Sequence, residues 1–107
     1  MSEISNRKSQ ITCRNNSGSI TKASGFKVSL ASVPKHKFGV HYAPLKESWR
    51  VTELTTGWAI PGSDAYDKEA AVKNAEREIA KFNQKYDAFG AAVLISKKMN
   101  IRFNPTK

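Results

Sequence analysis

Cysteine is almost missing from the chain: Cys13 stands alone among 107 residues, so no internal disulfide can form and no oxidising compartment is implied. Long apolar runs are missing as well. The longest, Ala91-Ala92-Val93-Leu94-Ile95, falls far short of the ~20 residues that a membrane-crossing helix needs, and the polar N-terminus lacks the apolar segment of a secretory signal. The expectation is a soluble, cytoplasmic protein with no membrane association. Catalytic signatures are also lacking. "TTGWAIPG" has neither the spacing nor the lysine of a phosphate-binding loop. His36 and His41 have opposite parity on a strand, and no second cysteine or carboxylate pair completes a metal-ligand set. Asp64 and Asp67 read as turn and cap residues, and Cys13 has no obvious base beside it. These absences predict a protein that is not an enzyme, with no metal, cofactor or small-molecule substrate. The one catalytic alternative is a nucleophilic Cys13, whose activity would vanish in Cys13→Ala.

Acidic side chains are scarce where basic ones abound. The chain has 18 Lys/Arg against 9 Asp/Glu, a net charge of +9. Residues 1–50 hold 9 basic and 2 acidic side chains, residues 51–90 hold 5 and 7, and residues 91–107 hold 4 and none. Such a surface attracts polyanions through counterion release. The plain alternative is that the charge serves solubility.

At this length the chain forms one domain with a single core. Residues 1–25 have few large apolar side chains and many Ser, Thr, Asn and Gly, which predicts a mobile basic arm carrying Arg7, Lys8 and Arg14. A weak hairpin around Asn15-Asn16-Ser17-Gly18 is the other reading. Residues 26–107 form the domain. Phe26, Val28 and Leu30 alternate with polar or small residues, as do Phe38, Val40 and Tyr42, and Trp49 with Val51. Trp58-Ala59-Ile60 is a further short strand candidate. From Asp67 to Tyr86, Val72, Ala75, Ile79, Phe82 and Tyr86 recur at spacings of three and four, one stripe of a helix that Gly90 stops. "AAVLI" and Met99–Phe103 close the pattern with strands. The fold class is α+β: an antiparallel sheet of about four to six strands with one long helix, about 67–86, packed on one face.

The stretch "KHKFGVHY" tests what the charge is for. Strand parity sends Phe38, Val40 and Tyr42 to the core, so they are not free as a stacking platform for single strands. Lys37 and His41 then point outward and, with Lys27, Lys35 and Arg50 from neighbouring segments, make a cationic sheet face around the small Gly39. A solvated sheet face is the competing reading. Lys97, Lys98 and Arg102 add charge near the C-terminus. On the helix, Lys73, Arg77, Lys81 and Lys85 recur every fourth residue opposite the apolar stripe. This row reads first as a solvated face with Glu69 and Glu78 as compensating partners, and second as a track for a polyanion.

"ELTTGWAIPGSDAYDKEAAVKNAEREI", residues 53–79, resembles the strand–turn–strand–helix of HicB-type antitoxins. Glu53-Leu54, Gly57, Gly62, Glu69-Ala70, Asn74-Ala75 and Ile79 carry the resemblance, over about a quarter of the chain. Thr56 stands where that pattern usually has proline. The same stretch is similar to the closing strand and helix of double-stranded-RNA-binding domains, although only Lys68 represents their lysine cluster. The resemblance implies a sheet-plus-helix fragment and a habit of binding a partner protein, without naming a toxin.

The function expected from the residues is a small accessory protein that binds DNA or RNA through phosphates with little sequence discrimination. The site residues are Lys27, Lys35, Lys37, His41, Arg50, Lys97, Lys98 and Arg102, with the helix row as a secondary feature. The rival is an inhibitor or adaptor, antitoxin-like or from a phage or mobile element, whose basic faces meet an acidic protein surface on a host complex.

Overall fold

Alternating polar and apolar side chains do produce strands here, and they begin earlier than that pattern indicates. A computed structural model of the protein describes residues 2–14, 19–31, 33–44 and 47–82. It contains strands Glu3–Arg14 (β1), Ile20–Ser29 (β2), Phe38–Ala43 (β3) and Ser48–Glu53 (β4), then the helix Lys68–Phe82 (α1). The strands make one antiparallel sheet in the order β1-β2-β3-β4, so the class is α+β. Trp58–Ile60 returns along β4 but pairs only through a bridge between Ala59 and Thr52. Further on, Ala65 and Trp49 exchange two backbone hydrogen bonds. Four strands are therefore present among the described residues. The strands expected after residue 90, the helix beyond Phe82 and its stop at Gly90 lie outside them.

The first 25 residues are the main correction. Residues 3–14 and 20–25 are strand, not a mobile arm: β1 pairs with β2 from Glu3↔Ser29 to Arg14↔Ile20, with an irregularity between Ile4 and Lys8, while residues 15–18 lie outside the described residues. The hairpin reading of this stretch is the one that agrees. Few apolar side chains suffice because the hairpin borrows the rest of the molecule's interior. Ile4 packs against the main core, and Ile11 is fully buried.

That main core joins helix to sheet. Ala71, Val72, Ala75 and Ile79 of α1 share one buried cluster with Val28, Phe38, Val40 and Val51 of the strands. Each valine, isoleucine or phenylalanine among them contributes roughly 1.5–3 kcal/mol on burial. The helix begins as its sequence demands: Asp67 accepts a 2.7 Å hydrogen bond from the Ala70 amide on its Oδ1, and its carbonyl accepts from Ala71 at 3.0 Å.

The opposite side of the sheet is covered over Gly39 and His41. Gly39 and His41 point away from the main core, as parity requires, yet both are buried. The hairpin curls back over them. Ile11 lies against Gly39 so closely that a Cβ there would come within 2.5 Å of Ile11 Cδ1, and one on Gly25 would run into the Val40 carbonyl oxygen. Glycine at both positions lets the hairpin bend across β3.

Candidate nucleic-acid interface

What holds the hairpin down is Arg14, and this removes Arg14 from the pool of free cations. After β4 the chain turns through Leu54-Thr55-Thr56, with Gly57 at φ 80°. The Gly57 amide donates to the Glu53 carbonyl at 2.8 Å. The Glu53 carboxylate, fully buried, accepts from the Thr55 and Thr56 amides at 2.9 and 2.8 Å. A carboxylate has two strong acceptor oxygens, one for each of these adjacent amides. The turn so built offers its carbonyls outward. Arg14 donates its backbone N–H to Gly57 O at 2.7 Å and its Nε–H to Thr56 O at 2.9 Å, while its guanidinium lies 5.8 Å from the Trp58 ring centroid.

Two residues expected on a cationic outer face are likewise committed elsewhere. His41 is buried, with Nε2 at 2.7 Å from Thr52 Oγ1. Burial pushes its imidazole below the ordinary value of 6.5; the Tyr42 backbone pulls it up, Arg50 lowers it and Asp64 raises it, and burial wins. His41 is thus a neutral interior group, not a phosphate ligand. Arg50, its register partner on β4, places Nη2 at 2.9 and 3.3 Å from the two Asp64 carboxylate oxygens. Ser48 donates to the same carboxylate at 3.3 Å. Asp64 cancels the charge that Arg50 was expected to present.

Other cations do reach solvent. Lys27, Lys35 and Lys37 are exposed, as are Arg7, Lys8 and Lys22 of the hairpin, and none of the six forms an ion pair among the described residues. Lys27 pairs with Gly39 in the register, and Lys37 immediately precedes β3. Over residues 3–43 there are seven Lys/Arg and one acid, Glu3, at the start of β1. Lys97, Lys98 and Arg102 lie outside the described residues.

The helix row is built differently. Lys73, Arg77 and Lys81 are exposed. Arg77 and Lys81 both approach Glu78, at 3.7 and 3.1 Å, and Arg77 also donates to Asn74 Oδ1 at 3.0 Å. Lys73 lines a shallow cavity with Glu69 and Glu76. Acids thus sit among these cations, as the solvated-face reading expects; Lys85 lies outside the described residues.

Sequence reasoning overlooked the outward face of the hairpin itself. Lys8, Gln10 and Thr12 of β1 and Lys22 and Ser24 of β2 are all exposed, in the register Gln10↔Ser24 and Thr12↔Lys22. The signal was present as an alternation, Gln10-Ile11-Thr12-Cys13-Arg14, in which only Ile11 is a large apolar residue. No family model, curated protein or solved structure matches the chain.

Proposed function

We infer that the protein is a small, non-enzymatic nucleic-acid-binding module that holds its partner chiefly through phosphate contacts. The observation that carries this reading is the set of exposed cations Arg7, Lys8, Lys22, Lys27, Lys35 and Lys37, unpaired among the described residues, on a half of the molecule with a single acid. Counterion release by such side chains favours any polyanion, with little sequence discrimination. Lys97, Lys98 and Arg102 add to the same charge.

The test is the salt dependence of binding to a nucleic acid of fixed length, followed by fluorescence anisotropy. Five or six phosphate contacts on a duplex predict that log K falls with log salt at a slope of roughly −4.5 to −5.5. A slope near zero would overturn the reading. The rival, a basic surface that meets an acidic protein, is distinguished by a partner that stays bound, at a defined stoichiometry, after nuclease treatment.

A further inference from the structure

We propose that the outward face of the β1–β2 hairpin enters the major groove of B-form duplex DNA, so that the preferred polyanion is double-stranded DNA. This rests on the nucleic-acid reading above and narrows it. The face carries Lys8, Gln10, Thr12, Ile20, Lys22 and Ser24, all exposed. Ile20, at 61% exposure, is one of the few large apolar side chains left in solvent among the described residues.

Three properties of this face fit that groove. The first is shape. A two-stranded ribbon is a known occupant of the ~12 Å major groove, and strands about 4.8 Å apart leave room for side chains within it. The deep, narrow major groove of A-form RNA excludes such a ribbon.

The second is chemistry. Gln10 is the kind of side chain that bonds adenine N6 and N7, Lys22 the kind that bonds guanine O6 and N7, and Thr12 and Ser24 donate or accept. Ile20 offers an apolar contact for a thymine methyl. No acid lies on this face, whereas the helix end near Phe26, where Lys68 sits 4.6 Å above the ring, also carries Asp67 and Glu69. The distal part of the ribbon, away from those acids, is where a duplex is best tolerated.

The third is rigidity. Ile11 against Gly39 fixes the ribbon from behind, and Arg14 ties the end of β1 to Thr56 and Gly57. The face is thus held in place before a partner arrives, and little ordering entropy is lost on binding.

The experiment compares the full chain on three probes at one salt concentration: a 16-base-pair DNA duplex, the RNA duplex of the same sequence, and one DNA strand alone. The expected result is at least a tenfold preference for the DNA duplex. With it should come protection of guanine N7, which faces the major groove, from dimethyl sulfate, while adenine N3 in the minor groove stays reactive. The paired substitution Gln10→Ala with Ser24→Ala should lower duplex affinity several-fold without changing the salt slope. Lys8→Ala, which removes a phosphate contact, should reduce the slope by about 1. All these positions are exposed, so an unchanged melting temperature separates lost contacts from lost fold. Equal binding to all three probes without N7 protection overturns the groove assignment and leaves phosphate binding standing. Failure to bind any probe overturns both.

Discussion

The β1–β3 half and the β4–α1 half of the molecule handle charge in opposite ways. Residues 3–43 carry seven Lys/Arg and one acid, and six of those cations are exposed without ion pairs among the described residues. Residues 47–82 carry five and seven, and there Asp64 holds Arg50 while Glu78 meets Arg77 and Lys81. A self-compensated half has no excess charge to offer a polyanion. An uncompensated half repels itself weakly and gains when one binds. Net charge alone would not have separated the two.

The sharpest way to break this comparison is to detach the basic half from its support. Ile11→Ala empties the site over Gly39 and should cost about 2–5 kcal/mol in chemical denaturation. Gly39→Val overfills the same site and should cost about 1–3 kcal/mol. If the hairpin were only a loosely tethered arm, neither change would move the unfolding midpoint. Next in size is Glu53→Ala, which strips the Thr55 and Thr56 amides of their acceptor and costs about 1–3 kcal/mol for the buried Thr56 donor left unpaired. It also loosens the turn that receives Arg14, so hydrogen exchange of the β1 amides should quicken.

A smaller effect sharpens the comparison through pH. His41 binds its proton less readily folded than unfolded, so stability is complete above the unfolded value of 6.5 and declines as pH falls below it. The unfolding midpoint should therefore drop as pH falls through 6.5, and His41→Asn should flatten that drop. A profile equally steep in the variant would remove His41 from the account. The smallest expected effects are on the helix. Arg77→Ala and Lys81→Ala should change stability by about 0.5 kcal/mol or less. They should also leave nucleic-acid affinity nearly untouched where Lys22→Ala lowers it.

Local patterns carried part of this architecture. The 3.6-residue period of Val72, Ala75 and Ile79 announced the helix, and the alternation through Phe38 and Val40 announced β3, because each buries its stripe in the core it helps to build. The hairpin was obscured because its one fully buried side chain, Ile11, depends on glycines 14 and 28 residues further along the chain. Parity placed His41 on the correct side of the sheet but said nothing about what lies over that side. Lys27, Lys35 and Lys37 were read as solvent-facing, and they are. Arg14 and Arg50 were misread for a common reason: their partners Thr56, Gly57 and Asp64 come from turns whose folded geometry no local pattern encodes.

The latch between Arg14 and the Thr56-Gly57 turn also has a consequence in time. The two residues it joins through the side chain are 42 positions apart. At roughly 5–20 residues per second of synthesis, the first strand waits some 2–8 seconds for its anchor to be made. During that interval Ile11 already has Gly25 and Gly39 to lie against, made 14 and 28 residues after it, so the middle of the ribbon is seated before its end is tied down.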